Sequence, residues 1–564
     1  MLRRSLALAC ALLLAVGCDE TTGGSDGNPP NPDGGDIGVK EGGPNPDIGG
    51  PPSGLAQFAS AGTDIEVDFS AGSEEFIIVP FSVSATSADA IDFTLKIAAS
   101  GSAKRSYKLT YKIPQNLPLA MRNPQLWARW QNQLAVEAWT RKLREAAAKM
   151  PVSKRKPNLG GFKPIAACTT SADCSATEVC GGGECKAQLD LNLSKFSATA
   201  TATFDVKRKG SIAAILVDSG ATVADADLDA LLKAFEETIY PRDVALFGNP
   251  ALTSGGKASD RNGDGLVWVV LTDKVSEKNN AVGFFVATDF TDDAASNKAD
   301  ILYMVPPSSG KPLDRIYTTM AHELEHLLNY ASKVYKAKLD GGQGAIESLW
   351  LDEGLAHFAE DACGYGGENV TLLSQELFTS FGDTRMFETD SANDKLTMRA
   401  MAMTFLRYMF ERKGGVTYNS DGTIADKGGA AWLQSLVTSD KQGTDNVTAS
   451  YGDYKDAMNN WIAAIVLDGR SVTDYVGFNY DPLVTDPVTG NSIGMIVRGT
   501  RKDNTGADVN LQGPLENNFS GPSVDETIPN SSAKFFKLSG QTGKVKISVT
   551  TQESDFRFAV IKIK

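Results

Sequence analysis

Histidine occurs three times in this 564-residue sequence, at His322, His326 and His357. Two of the three fall in His322-Glu323-Leu324-Glu325-His326, inside a strongly helical run. A separation of four on a helix puts both imidazoles on one face, about a turn apart. Both rings can then reach one zinc ion at about 2.0–2.1 Å. Glu323 stands beside that ion, where its carboxylate can take the proton of an activated water. A catalytic zinc needs a third protein ligand and an open fourth position. Glu353, in Trp350-Leu351-Asp352-Glu353-Gly354-Leu355, is the candidate ligand. It lies far enough downstream for the first helix to end and a second to return antiparallel. Glu360, two turns further along the same face, is spaced to hold a ligand imidazole by its second nitrogen. A donor toward charge developing on a carbonyl oxygen has two candidates, His357 and Tyr408. Each also reads as a plain buried residue, one a satisfied histidine and the other an aromatic on an amphipathic helix.

The elements that must position these residues follow from the hydrophobic pattern. IYTTMAHELEHLLNYASKVYKAK and WLDEGLAHFAEDAC are helical, as are ADADLDALLKAFEETIYPR, TMRAMAMTFLRYMFERKG and YKDAMNNWIAAIVLDG. SIAAILVDS, GLVWVVLTDKV and ADILYMV read as buried strands. Residues 211–475 therefore form a mixed α/β unit around the histidines.

The H-E-x-x-H helix followed by W-L-x-E-G-L-A resembles the Glu-zincin metallopeptidases, in which two helices carry the metal. The run from IAAILVDS through ETIYPRDVALFG, DRNGDGLVWVVLTD and ADILYM to the two helices is most similar to the hyicolysin family. The resemblance covers roughly residues 211–470. No exopeptidase signature such as G-x-M-E-N is present, which argues against the aminopeptidase branch. The resemblance implies a zinc endopeptidase with an edge strand above the metal helix. ADILYMV, 299–305, is expected to be that edge and to pair with a peptide substrate.

Around this unit the sequence predicts a multidomain chain, an α+β zincin-like metallopeptidase domain flanked by N-terminal and C-terminal sandwich-like β domains. Residues 55–210 read as a β domain with a helical and cysteine-rich insert over 123–187, and 476–564 as a β-rich C-terminal module. Residues 1–17 have the basic and apolar regions of a leader, ending at a lipobox-like Leu14-Ala15-Val16-Gly17-Cys18. Lipidation of Cys18 would anchor the chain outside the bacterial cytoplasm; plain secretory cleavage is the alternative. Residues 18–54, rich in Gly, Pro and Asp, form a tether with nothing to bury. Cys168, Cys174, Cys180 and Cys185 read as two disulfides of an exported chain, with a zinc knuckle as the competing reading. Cys363 is left as a buried free thiol.

Asp260, Asn262 and Asp264 match the first half of a calcium loop, but position twelve is Leu271, so a polar turn is equally open. A net charge of −14 argues against nucleic acid as a partner. The expected partners are a protein or peptide substrate and, through Cys18, a membrane. A surface adhesion or scaffold lipoprotein that keeps a peptidase-like fold without activity is the rival function. The intact base, Glu323, favours the enzyme.

Overall fold

The computed structural model describes residues 52–564 except 70–71, 87–89, 100–123, 154–167, 182, 253–255, 309, 504–505 and 520. The leader, Cys18, the tether up to residue 51 and the strand expected at SYKLTYKI (106–113) lie outside the described residues. The chain opens with β1 (Ala56–Ser60), β2 (Asp64–Phe69), β3 (Phe76–Ser82) and β4 (Ile91–Ala99). β2 alternates as a half-buried strand must, with Ile65, Val67 and Phe69 inward and Asp64, Glu66 and Asp68 outward. β3 is buried at every position, so both of its faces are covered. Helix α1 (Pro124–Ala147) follows, then a small hairpin of β5 (Val179–Gly181) and β6 (Glu184–Lys186). Disulfides Cys168–Cys180 and Cys174–Cys185 fasten this hairpin, and Cys363 is a buried free thiol.

Six strands make the central sheet: β7 (Gln188–Asn192), β8 (Thr201–Lys209), β9 (Ala213–Asp218), β10 (Val267–Leu271), β11 (Gly283–Phe285) and β12 (Ile301–Met304). Their order is β11-β12-β10-β9-β8-β7. β9, β10 and β12 run parallel, while β7, β8 and β11 are antiparallel to their neighbours. Two sequence expectations are corrected here. β7 and β8 extend the sheet beneath the metal helix and are not the end of a β domain closing at 210. Antiparallel strands with one wet face alternate alike whichever sheet they join. Secondly, β12 is interior, so ADILYMV is not the edge; β11 is. Three residues are too few to show a period. Gly283 in β11 is there for close approach, since a Cβ would fall 2.2 Å from Met304 Sδ and 2.9 Å from the Tyr303 carbonyl.

Against this sheet pack α2 (Asp225–Ala234), α3 (Tyr240–Phe247) and α4 (Leu313–Tyr330), the helix of the histidine motif. α4 is sandwiched between β11 and β12 on one side and α5 (Leu349–Ala362) on the other. α6 (Gly367–Ser380) and α7 (Leu396–Arg412) complete the layer, α7 lying along α5. Gly354 makes that contact tight, because a Cβ there would meet Leu406 Cδ1 at 2.8 Å and Ala402 Cβ at 3.0 Å. Buried ion pairs pin both ends of α5. Before it, Glu347 receives Lys333 Nζ at 3.0 Å and Asn446 Nδ2 at 2.8 Å. Near its end, Asp361 receives Arg501 at 2.6 Å and Arg407 at 3.2 Å. Further on come α8 (Gly429–Thr438), α9 (Gly443–Tyr451) and α10 (Tyr454–Leu467). Three two-stranded pieces accompany them: β13–β14 (Val416–Tyr418, Ile424–Asp426), β15–β16 (Val484–Thr485, Ser492–Ile493) and β17–β18 (Arg498–Lys502, Asp508–Gln512).

The C-terminal strands are β19 (Glu516–Asn518), β20 (Ser523–Ile528), β21 (Phe535–Leu538), β22 (Gly543–Thr551) and β23 (Phe556–Lys562). They do not form a module of their own, which is the third correction. One sheet is ordered β1-β23-β3-β21-β19 and the other β2-β22-β4-β20. The two flanking β domains are thus a single sandwich closed by both ends of the chain. Ile65, Val67, Leu95, Val545, Ile547 and Phe558 fill its interior. Ile77, Val79 and Phe81, on the opposite face of β3, join the core of the helical body instead. Overall the mix of helices and sheets is α+β. Among the described residues no helix is long and apolar enough to cross a membrane.

Alkylation of denatured, unreduced protein followed by peptide mapping should label Cys363 and leave Cys168, Cys174, Cys180 and Cys185 unlabelled; labelling of those four would reject the paired assignment. Gly354→Val should overpack the α5–α7 contact and cost about 1–3 kcal/mol in denaturant titration. An unchanged midpoint would show that the helices can part there freely.

Candidate metal centre

α4 is amphipathic at its start but buried on every side from Met320 to Tyr330, because β11, β12 and α5 enclose it. Its two histidines face α5. His322 Nε2 and His326 Nε2 each lie 3.7 Å from Glu353 Oε2, and the three donor atoms all fall within 4.8 Å of one another. Ligands of a tetrahedral zinc at about 2.0–2.1 Å stand about 3.3 Å apart, so a slight contraction would seat one ion. All three atoms are buried; the two Nε2 atoms have no hydrogen-bond partner, and Glu353 Oε2 has only the Arg399 guanidinium, 2.8 Å away, as an ion-pair contact. Stranded polar atoms cost about 1–3 kcal/mol each unless something covers them. Two imidazole nitrogens and one carboxylate oxygen are a donor set that suits zinc. The residues fit the ion.

The other nitrogen of each ring is oriented by a carboxylate. His322 Nδ1 is 2.7 Å from Glu360 Oε1. His326 Nδ1 is 3.3 Å from Asp352 Oδ1 and 3.4 Å from Glu325 Oε2, close but not aligned as a hydrogen bond. Asp352 is held in turn by Arg144 at 3.1 Å and Arg141 at 3.3 Å. Arg144 also reaches Glu353 Oε1 at 3.3 Å. These neighbours set the charges. Burial opposes an imidazolium at His322, yet Glu353 and Glu360 outweigh it and hold the group up at about 9. Burial and Arg144 likewise oppose charge on His326, and Asp352 with Glu353 still raise it well above the usual value. Burial favours protonated carboxyls, but the imidazoles drive Glu353 well below the ordinary range and Glu360 to about 2. The pocket demands positive charge, which protons supply in the absence of a cation.

Glu323 is different. Its Oε2 accepts the backbone N–H of Phe285, in edge strand β11, at 2.9 Å, and its Oε1 has no partner. Burial raises its pKa despite both histidines. His357 Nδ1 lies 3.0 Å from Glu360 Oε1 and its ring 4.9 Å from that of His322, so it is brought to the site. Tyr408 is not. It sits on α7, nine residues and about 13 Å of helix beyond Arg399, and its hydroxyl donates to the Gly477 carbonyl at 2.8 Å. The carbonyl-donor expectation for Tyr408 is therefore corrected.

The 260–265 loop has the geometry of a polar turn. Asp260 Oδ1 accepts from Gly265 N at 2.9 Å and Asn262 Oδ1 from Asp264 N at 3.3 Å. Asp264 accepts from Leu266 N at 2.9 Å and Trp268 Nε1 at 2.8 Å. Its oxygens are spent on these donors and on Ser171 of the disulfide loop, 3.2 Å away. These bonds support the polar-turn reading of the loop.

Sequence reasoning missed Asp352, Arg141, Arg144, Glu137 and Arg399. Asp352 adjoins Glu353 within the same motif, and its acid type was the available signal. Glu137, Arg141 and Arg144 follow the i, i+4, i+7 spacing of one helical face. That face is buried, with Glu137 only 1% exposed. Arg399 carried no distinguishing signal: it is one of four charged residues on α7, with Arg407, Glu411 and Arg412, and its Nη1 lies 2.8 Å from Glu353 Oε2.

No family model matches the chain. Over 148 residues it is 29% identical to the neutral metalloprotease ShpI of Staphylococcus hyicus, a stretch covering 24% of this chain and 31% of that protein. The chain thus spans about a third of the length of the curated relative it matches, and the relationship is distant and to a metallopeptidase.

Because zinc needs both imidazoles neutral, uptake must displace the protons that the carboxylates hold there. With His322 at about 9, apparent zinc affinity of metal-free protein should rise at least about tenfold per pH unit toward pH 9. Calorimetric or competition titrations between pH 6 and 9 check this; a flat profile would mean that the rings are already neutral.

Proposed function

We propose that this chain is a zinc endopeptidase, exported and lipid-anchored through Cys18, that hydrolyses peptide bonds in proteins or peptides outside the cytoplasm. The observation that carries the reading is the convergence of His322 Nε2, His326 Nε2 and Glu353 Oε2, with Glu323 Oε1 partnerless on the same helix. The distant similarity to a neutral metalloprotease points the same way. The anchor and the location rest on the leader-like sequence, and the paired cysteines suit an oxidising compartment.

Zinc, when bound, would lower the pKa of a water and polarise the scissile carbonyl. The protein's own residues would do the rest. His322, His326 and Glu353 hold the ion, and Glu360 and Asp352 fix the two rings so that their Nε2 lone pairs converge. Glu323 is the base. Its Oε2 is tied to β11, so Oε1 keeps a fixed aim, and its raised pKa makes it the stronger base toward the water's proton; the protonated carboxyl would then be the donor to the leaving amine. A peptide lying along β11 as one more strand would have its main chain oriented by the same edge that orients Glu323.

Glu323→Gln should retain one zinc per chain and lose about 10²–10⁴-fold in turnover of a generic protein substrate. Glu353→Gln should weaken zinc itself. Wild-type turnover in Glu323→Gln would refute Glu323 as the base, and absence of turnover in the zinc-loaded wild type would refute the peptidase reading and leave the scaffold function standing. Equal loss of zinc in both would mean that Glu323 also helps to hold the metal, and the roles of the two carboxylates would have to be redrawn.

A further inference from the structure

The fourth side of the centre is not open. Helix α1, which the sequence assigns to an insert of the N-terminal domain, runs across it. Glu137 of α1 is buried and points its Oε1 at His322 Nε2, 3.8 Å away, nearly the distance that separates Glu353 from the same atom. Glu137 Oε2 meets Arg399 Nη1, the nitrogen that also stands 2.8 Å from Glu353 Oε2. Beside Glu137, Trp130 and Gln133 wall a cavity of about 40 Å³ whose far side is His322, His357 and Glu360. That volume admits a few waters, whereas sites that enclose a small ligand measure about 300–1,000 Å³. Two residues past Glu137, Trp139 packs edge-on against Phe284 of β11 with ring centroids 5.2 Å apart. The helix therefore covers both the metal position and the edge strand.

We propose that Glu137 is a fourth, displaceable ligand that closes the open metal position in the resting protein, and that Arg399 receives its carboxylate when a substrate displaces it. This rests on the zinc reading above. The geometry favours exchange over permanent ligation. Arg399 already touches the carboxylate, so Glu137 can leave the metal without becoming an unpaired buried charge, which would cost several kcal/mol. Arg141 and Arg144, one and two turns further along α1, hold Asp352 and Glu353. The helix thus need not depart for a small ligand to reach the position; the side chain and the turn around Trp130 and Gln133 must give way, and for a peptide to reach β11 Trp139 must also part from Phe284. The resting protein keeps a low turnover, set by the open fraction.

The test uses the full chain, stripped with dipicolinate and reloaded with one Co²⁺. Glu137→Gln and Glu137→Ala should keep one cobalt, change its visible d–d spectrum relative to wild type, and bind acetohydroxamate about 10-fold more tightly, as expected when a position closed nine-tenths of the time is opened. Wild-type spectrum and wild-type hydroxamate affinity in both variants, with cooperative melting, would overturn the proposal and leave Glu137 a structural partner of Arg399. Should neither variant melt cooperatively, water-proton relaxation by cobalt in the wild-type chain decides: little enhancement supports a closed position, and a rapidly exchanging water on the ion overturns it. If the wild-type chain itself takes up no stoichiometric cobalt, the zinc reading fails, and this inference with it.

Discussion

The centre of this molecule is organised by a surplus of buried negative charge. Glu137, Glu323, Glu325, Asp352, Glu353 and Glu360 share one enclosed volume with Arg141, Arg144 and Arg399, and the guanidinium groups are too few to neutralise them. An uncompensated buried carboxylate is expensive, and removing one partner of a buried pair costs about 3–5 kcal/mol. Two imidazoles among these acids must either carry protons or share a cation. The raised pKa values of His322 and His326 and the depressed ones of Glu353, Glu360 and Asp352 are two views of that demand. A dication held between His322, His326 and Glu353 would meet it better than two protons, because it attracts every carboxylate at once. It would also give the two partnerless Nε2 atoms something to bind.

Such a cluster forms only if the scaffold holds it against mutual repulsion. The helices achieve this by contacts too tight to relax. Gly354 allows α7 to lie against α5 immediately after Glu353, and α7 brings Arg399 into the acids from that side. Asp361 with Arg501 and Glu347 with Lys333 fix α5 at its two ends, so Glu353 cannot slide along the helix axis. Glu323 is steadied from the opposite direction by a backbone N–H of β11. Glu323 shares α4 with the two histidines while Glu353 comes from α5, so the candidate centre is assembled from two independently braced helices. That arrangement keeps a base with a fixed aim beside ligands that must contract slightly to bind an ion.

The histidine helix, Glu353 and the orienting Glu360 were legible because their spacing is local: four residues within one helix and seven within another fix the faces before any tertiary contact is known. Topology was not legible to the same degree. β2 and β22 alternate perfectly well, but nothing in either says that Asp64 pairs with Ser548 across nearly the whole chain. Hence two flanking β modules were read where one sandwich exists. β7 and β8 were misassigned for the same reason, and β11 was too short to see. Tyr408 was within the right helix but beyond its useful turn. The polar half-match at Asp260–Asp264 could not be resolved from sequence, because cation loops and Asx turns share a composition.

Helix α1 shows why the least legible element is also the most informative. Its buried charges look like an error if it is read as part of a β domain, since Glu137, Arg141 and Arg144 would have no partners there. They make sense only against α4, α5 and α7, where each meets an opposite charge. A segment that supplies counter-ions from outside the two-helix motif can tune the centre without altering the motif itself. Arg144 steadies Glu353 while Glu137 crowds the same metal position, so one helix face both builds the site and obstructs it. Selection on the spacing between these two residues, two turns of helix, would set how readily the centre opens. Control of access to the candidate centre falls to elements such as this one, which the spacing of His322, Glu323 and His326 does not constrain.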